Sequence, residues 1–253
     1  MRAYRISVAL AALAVWAAIY ASELWLPIEA IDGGLNGIIL RAGAAAAFLL
    51  ILAGIMGWRD LGLTPPRPWT SLWVFLPPSI PLLVMGWLLV QHGLPEPQIL
   101  RTLAACMLAV GVSEELMFRG VLFRALRTRL SPWPAVWITS LLFGSVHLSN
   151  GLYLGDLAIG VAHVAAATVI GLFLLAATLR TGSILPSMLF HGCWNTLVMA
   201  FLVSAPPSEW QTTLEAETSL SLLLLLAPLF LYSLFLLRGV DRPLAAAPGV
   251  QTT

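Results

Sequence analysis

Residues 157–179 of this chain read LAIGVAHVAAATVIGLFLLAATL and contain no charged side chain. A helix needs about 20 mostly apolar residues to cross the roughly 30 Å hydrocarbon core of a bilayer. This stretch therefore predicts a transmembrane helix, and seven further apolar windows flank it. Together they predict an all-α, polytopic membrane helix bundle with about eight transmembrane helices, at residues 6–26, 38–58, 70–90, 99–119 (continuing as a helix to about 129), 134–149, 157–179, 183–204 and 219–237.

The composition excludes several classes of protein. Of the 253 residues, 59% are hydrophobic and 10% are charged, and the mean hydropathy is +0.91. Soluble domains are about 45–50% apolar and about 25% charged, so we expect the lipid bilayer to be the main partner. The net charge of +1 offers no basic field for a nucleic acid. Glycine-rich phosphate motifs are absent from the sequence, which argues against a nucleotide as substrate or cofactor.

The distribution of arginine predicts the orientation of the bundle. If all eight windows span and the N-terminus is cytoplasmic, only Arg41 and Arg101 face the opposite side of the membrane. This asymmetry follows the positive-inside rule and predicts that both termini are cytoplasmic. The cytoplasmic ends would then collect Arg2, Arg5, Arg59, Arg67, Arg124, Arg127, Arg129, Arg180, Arg238 and Arg242. The short loops and the all-arginine basic set suggest a bacterial inner membrane.

The domain organisation is predicted to be simple. Residues 1–242 form a single transmembrane domain, and residues 243–253, rich in Ala and Pro, form a disordered cytoplasmic tail. The first window is interpreted as an uncleaved anchor, because its apolar run is long for a signal peptide and no clean cleavage motif follows it. Pro77, Pro78 and Pro81 are expected to kink or break the third window.

A few polar side chains fall at membrane depth. A charged group there costs about 2.5–3.5 kcal/mol on insertion scales, so it must be paired, hydrated or functional. His163 in the sixth window stands alone and is interpreted as a hydrogen-bonded structural histidine. The other groups are Glu114, Glu115 and Arg119 in the fourth window, His147 in the fifth, and His191 and Asn195 in the seventh.

The spacing of these groups predicts how they meet. Glu115 and Arg119 are four residues apart, which suits an intrahelical ion pair, whereas Glu114 is rotated by about 100° and needs another partner. The same four-residue spacing puts Phe143 with His147, and His191 with Asn195, on one helix face. Counting about 1.5 Å per residue puts Glu114, His147 and Asn195 roughly 18–22 Å from the cytoplasmic ends, with His191 about one turn nearer. We therefore predict that these groups line one internal cavity.

Such a cavity could support more than one chemistry. A carboxylate and a histidine that reach one water can act as general base, and a second histidine with an amide can stabilise an oxyanion. Glu114, His147 and His191 could instead bind zinc with one open position, although no HExxH motif is present. A Cys–His nucleophile is disfavoured because Cys193 lies two residues from His191 and points away from it. A small-solute transporter and a non-catalytic scaffold or immunity factor are the rival functions.

The three blocks EELMFR (114–119), FGSVH (143–147) and HGCWN (191–195) occur in this order on successive predicted helices. They resemble the EExxxR, FxxxH and HxxxN/D signature of the CAAX-protease and bacteriocin-processing family (CPBP or Abi family) of intramembrane endopeptidases, also called type II CAAX prenyl endopeptidases. The resemblance covers about residues 100–204. It implies a hydrolase that cleaves a membrane-associated protein or peptide.

The resemblance also implies roles for individual residues. Glu114 and His147 would activate water, and His191 and Asn195 would stabilise the oxyanion. Glu115 and Arg119 would support the site by an orienting ion pair, with Phe143 as a further supporting residue of its block. No cofactor is favoured, and the glutamate-type mechanism is preferred to the metalloprotease alternative with zinc.

Overall fold

The structure is a computed structural model that describes residues 4–22, 35–204 and 220–241. These residues form helices and no β-strand. The first half contains α1 (Arg5–Ala21), α2 (Leu35–Ile55), a 3₁₀ helix (Trp69–Phe75) that continues into α3 (Leu76–His92), and α4 (Pro97–Glu115). A π-helical segment (Leu116–Leu122) joins α4 to α5 (Phe123–Leu126). There follow α6 (Pro132–Val146), α7 (Leu148–Leu154), α8 (Leu157–Thr181), α9 (Leu185–Ser204) and α10 (Leu220–Leu236).

The all-α prediction is confirmed, and a helix lies in each of the eight predicted windows. The count of about eight transmembrane helices is not confirmed. Among the described residues, four helices are long and apolar enough to cross a membrane: Leu35–Ile55, Trp69–His92, Leu157–Thr181 and Leu185–Ser204. The helix that begins at Pro97 carries several charges, and α6 has only 15 residues. The predicted disordered tail at 243–253 lies outside the described residues.

Proline and glycine mark the ends of the helices. Pro77 and Pro78 lie in the first turn of α3, where the missing N–H groups would have no helical partner, and α3 continues past Pro81. The expected break in the third window is therefore a change from 3₁₀ to α-helix after Phe75. Gly182 ends α8 with φ of 68°, a left-handed conformation that favours glycine.

Long-range contacts bring the arginine-rich helix ends together. The Arg5 guanidinium at the start of α1 binds the Asp60 carboxylate, which follows α2. Near the end of α8, Arg180 donates hydrogen bonds to the carbonyl oxygens of Leu236, the last residue of α10, and of Arg238, which follows it. The first contact therefore holds the beginning of α1 beside the end of α2, and the second holds the ends of α8 and α10 together.

The core is built around the end of α4 and the π-helical segment. All seven residues of that segment are buried, and Met117, Phe118 and Arg119 are fully inaccessible. Trp16 of α1 packs edge-on against Phe118, with ring centroids 5.6 Å apart. Because π-helical turns shift the register of the side chains that follow, this segment determines which groups of the EELMFR block face the interior.

Candidate active site

A buried ion pair connects α4 to the π-helical segment. Arg119 Nη1 donates a hydrogen bond of 2.8 Å to Glu115 Oε1, and both side chains are fully buried. Arg119 Nη2 donates a second hydrogen bond, also 2.8 Å, to the carbonyl oxygen of Gly171 in α8. The predicted Glu115–Arg119 ion pair is therefore present, and the second hydrogen bond of Arg119 connects it to α8.

His191 of α9 lies between the two glutamates. Its Nδ1 is 3.0 Å from Glu115 Oε1, and because a carboxylate only accepts, Nδ1 carries the proton in this hydrogen bond. Its Nε2 faces Glu114 Oε2 at 3.6 Å, which is longer than a hydrogen bond. Glu114 Oε2 is buried and makes no hydrogen bond to the described residues. The nearest partner of Glu114 is thus a histidine, at a distance too long for a direct hydrogen bond.

The Phe143 ring is at the centre of the cluster. The Arg119 guanidinium lies over it at 4.4 Å, and the rings of His147 and His191 lie 5.1 and 5.7 Å from it. A cation over an aromatic face is stabilised by the ring quadrupole. Phe143 therefore packs against the guanidinium and against both histidines.

His147 lies at the end of α6 and not inside a helix, since α6 ends at Val146 and not near residue 149 as predicted. Its Nδ1 is 3.0 Å from the Phe143 carbonyl oxygen, so Nδ1 donates and Nε2 is left with a free lone pair. His147 is within electrostatic range of Glu114 and His191. A neutral imidazole with an unprotonated Nε2 is suited to accept a proton.

Asn195 is not hydrogen-bonded to the other site residues, unlike His191. It lies one turn beyond His191 on α9 and makes no hydrogen bond to the described residues. The depth estimate grouped Asn195 with Glu114 and put His191 one turn away, whereas His191 is the residue that reaches Glu114. The depth estimate counted residues along each helix from its end. It therefore could not account for the way in which α4 and α9 cross.

Glycines permit that crossing. A Cβ atom at Gly111 would lie 2.9 Å from the backbone nitrogen of Gly192, and one at Gly192 would lie 2.9 Å from the Cα of Leu108. Real Cβ atoms do not approach other atoms so closely, so larger residues would push α4 and α9 apart. Gly192 follows His191, and this contact therefore brings His191 to the glutamates.

The sequence indicates structural roles for His163 and Cys193, and it misses two side chains of α1 that lie near the site. Asn150 Nδ2 lies 3.3 Å from His163 Nδ1, which fits the predicted hydrogen-bonded histidine. Cys193 is exposed, while His191 is buried. Sequence reasoning missed Trp16, whose Nε1 donates a hydrogen bond of 2.9 Å to Ser113 Oγ, and Tyr20, which lies near Glu114. Apolar periodicity carries no signal for such contacts, because they join helices far apart in the chain.

The described side chains contain no group of three or more His, Cys, Asp or Glu residues arranged to hold a metal ion. The zinc alternative named Glu114, His147 and His191 as ligands. In the described structure these residues do not form a metal site, although Glu114 and His191 are close.

Comparison with known protein families adds an independent observation. A family model described as type II CAAX prenyl endopeptidase Rce1-like matches residues 95–197. Residues 95–197 are thus similar to the Rce1-like type II CAAX prenyl endopeptidase domain. No curated protein and no solved structure matches the chain. The Rce1-like segment overlaps the predicted core of 100–204 and includes every residue of the three blocks.

The match of residues 95–197 to the Rce1-like family supports a CAAX-type intramembrane protease, which is a hydrolase, at the level of the family. Together with the four apolar helices it supports an integral membrane protein. The Rce1-like segment begins with α4 and ends within α9. α1, α2 and α3 precede it, yet α1 contacts the site through Trp16 and Tyr20.

Proposed function

We propose that the protein is an intramembrane endopeptidase that hydrolyses a peptide bond in a membrane-associated protein or peptide. The observation that carries this proposal is the buried Glu114 carboxylate, which has an oxygen without a partner in the described residues and faces His191 at 3.6 Å. A carboxylate left unsatisfied in a core is destabilising, so a binding or catalytic role explains its presence better than packing does. The Rce1-like match supports the reaction class.

Glu114 and His147 would act together on one water molecule. His147 donates from Nδ1 to the Phe143 carbonyl, so its Nε2 is free to accept a hydrogen bond from this water while Glu114 takes the proton. Glu114 offers Oε2 to the same water. General-base catalysis of this kind contributes about 10²–10⁴ in rate. The activated water would attack the carbonyl carbon of the scissile peptide bond.

His191 and Asn195 would stabilise the oxyanion. His191 Nε2 would face the developing charge while Glu115 accepts from Nδ1 and holds the ring in place. Glu115 in turn is oriented by Arg119. The Asn195 amide, one turn further along α9, is free to donate to the substrate. Preorganised donors of this kind contribute several kcal/mol to lowering a barrier, about 2.7–4 for one donor.

We further propose that catalysis needs no metal, that the protein resides in a bacterial inner membrane, and that both termini are cytoplasmic. A metal-free mechanism predicts that chelator-treated enzyme retains its activity. Loss of activity after chelation, with recovery on adding Zn²⁺, would instead establish the metalloprotease alternative.

The scaffold alternative has one observation in its favour. A network of buried hydrogen bonds joins α4, the π-helical segment, α8 and α9, as expected for a purely structural role. It consists of Glu115, Arg119, Gly171 and His191. Glu114 is not part of this network. Substitution of Glu114 therefore separates the two functions, because a scaffold would tolerate it, and a small-solute transporter would produce no new peptide termini in either case.

The test is a mass-spectrometric comparison of the termini of membrane proteins in cells that express the native protein, Glu114→Gln or Glu96→Gln at equal levels. Glu96 precedes the same helix and is exposed, so its variant is the matched control. We expect defined new termini with the native protein and Glu96→Gln, but not with Glu114→Gln. Identical termini in all three, with the variants equally stable in detergent, would contradict proteolysis and favour the scaffold or transporter.

A further inference from the structure

A hydroxyl group from outside the Rce1-like segment reaches the same site. Tyr20 lies in the last turn of α1, while the matched segment begins at residue 95. Its phenol lies beside Ser113 and within electrostatic range of Glu114. None of the three sequence blocks includes this residue.

The Tyr20 ring is held in a defined position. Trp16 lies one turn earlier on α1, and the two ring centroids are 4.5 Å apart. Trp16 is itself fixed, because its ring packs edge-on against Phe118 and its Nε1 donates to Ser113 Oγ. Side chains whose neighbours restrict their rotamers provide the preorganisation that a catalytic group requires.

Four buried polar atoms of the site make no hydrogen bond to the described residues: Glu115 Oε2, Arg119 Nε, the Tyr20 hydroxyl oxygen and Glu114 Oε2. The last two belong to side chains within electrostatic range of each other. A phenol can donate a hydrogen bond and a carboxylate can only accept one, so their hydrogen-bonding requirements are complementary. One water molecule satisfies both, since it accepts from the phenol and donates to the carboxylate. Buried polar groups of this kind are normally satisfied by protein or by ordered water.

We propose that Tyr20 is a further catalytic residue, whose hydroxyl donates a hydrogen bond to the water that Glu114 and His147 activate. This inference rests on the proposed function. The water oxygen accepts one hydrogen bond from Tyr20, and its two hydrogens are directed to Glu114 Oε2 and His147 Nε2. The second lone pair of the water oxygen is then free to attack the substrate carbonyl carbon.

The reaction step balances without a proton from Tyr20. Attack forms the bond between the water oxygen and the carbonyl carbon, and the carbonyl π electrons move to the carbonyl oxygen. The water loses one proton to the Glu114 carboxylate. Tyr20 keeps its own proton and holds the attacking oxygen in position throughout.

The test compares Tyr20→Phe with Tyr232→Phe in the full chain, reconstituted in liposomes. Both substitutions remove one phenol oxygen, but the Tyr232 hydroxyl donates to the carbonyl oxygen of Val74, a structural hydrogen bond of 3.1 Å. The substrate is a synthetic peptide spanning the new terminus that the comparison of native and Glu114→Gln cells identifies. The measurements are kcat, KM and Tm.

We expect Tyr20→Phe to lower kcat by about 100-fold, because misplacing a reacting atom by about 1 Å can cost this much, with KM within about twofold. Its Tm stays the same or rises, because a hydroxyl without a protein partner is removed. Tyr232→Phe is expected to show the reverse pattern, with an unchanged kcat and a lower Tm.

The outcomes separate this inference from the proposed function. If the native protein cleaves, Glu114→Gln does not, and Tyr20→Phe keeps full kcat, the role of Tyr20 is overturned while the protease stands. A loss of kcat that accompanies a lower Tm overturns it also, because the hydroxyl is then structural. If the native protein does not cleave, both the proposed endopeptidase function and the role of Tyr20 are contradicted.

A structural measurement provides a second readout that does not depend on activity. A high-resolution experimental structure of the native protein is expected to contain an ordered water within hydrogen-bonding distance of the Tyr20 hydroxyl and Glu114 Oε2. The water should be missing or displaced in Tyr20→Phe. A direct Tyr20–Glu114 hydrogen bond with no water between them would overturn the inference.

Discussion

Two ion pairs in this protein have nearly the same N···O distance but differ in their exposure to water. Arg119 and Glu115 are joined at 2.8 Å with both side chains fully buried. Arg5 and Asp60 are joined at 2.7 Å, but 52% of the Asp60 side chain is exposed. Water screens the second pair and is excluded from the first. The contribution of an ion pair therefore depends on its surroundings more than on its length.

The buried pair also orients a histidine of the candidate site. Glu115 Oε1 accepts from Arg119 and from His191, so the pair orients a histidine of the site. The exposed pair fastens the start of α1 to the loop after α2, with the Arg5 guanidinium also lying 4.9 Å from the Trp58 ring. One pair is part of the proposed chemistry, while the other holds two helix ends together.

The largest effect is expected from Arg119→Met. The substitution keeps an extended side chain but leaves the Glu115 carboxylate buried without its cation, and breaking a buried pair in this way costs about 3–5 kcal/mol. Thermal unfolding of the detergent-purified variant measures the loss. Cleavage should be lost with it, since His191 is no longer oriented. A variant as stable as the native protein would show that Glu115 is not charged in the fold.

The double variant Arg119→Met/Glu115→Gln is the control for that result. The glutamine oxygen can still accept from His191 Nδ1, and neither buried charge remains. Replacing a whole buried pair by well-packed uncharged residues is often neutral or stabilising relative to the intact pair, whereas removing one member costs about 3–5 kcal/mol. We expect the double variant to be more stable than Arg119→Met and still poorly active. Equal instability of the two variants would contradict the charge argument.

A smaller effect is expected from Gly171→Ala. The new Cβ would lie 2.7 Å from Phe143 Cδ1, and the ring cannot easily move because Arg119 and the two histidines pack around it. Overpacking of this kind costs about 1–3 kcal/mol. Gly43→Ala is the matched control, since a Cβ there meets nothing within 4 Å. Equal melting temperatures for both variants would mean that the α6–α8 contact is looser than described.

The smallest effect is expected from Asp60→Asn. Partial burial raises the pKa of Asp60, but the hydrogen bonds and charge of Arg5 outweigh this effect and hold the pKa below its ordinary value. The stabilisation is therefore present at neutral pH and is lost as the pH falls below about 3.9 and through the lower folded pKa. Exposed pairs contribute about 0–1 kcal/mol. Unfolding at pH 7 and pH 3 should show a small difference from the native protein only at pH 7.

Local features of the chain were predictable. Runs of about 20 apolar residues predict helices wherever they occur, because backbone groups in a bilayer must bond within their own segment. The Glu115–Arg119 pair followed from a spacing of four residues. Distances between helices did not follow from the sequence. The prediction put Glu114, His147 and Asn195 in one layer with His191 about one turn nearer the cytoplasm, and the structure shows His191 beside Glu114.

The amino-acid sequence by itself determined the helical class, the approximate windows of the helices and the polar side chains that a membrane interior must satisfy, because these depend on hydrophobicity and on the period of one helix. Only the tertiary structure decided which atoms meet. The Gly111–Gly192 contact brings His191 to the two glutamates, and the packing of α1 brings Tyr20 to Glu114. Such contacts arise from close packing between segments far apart in the chain, which no local pattern encodes.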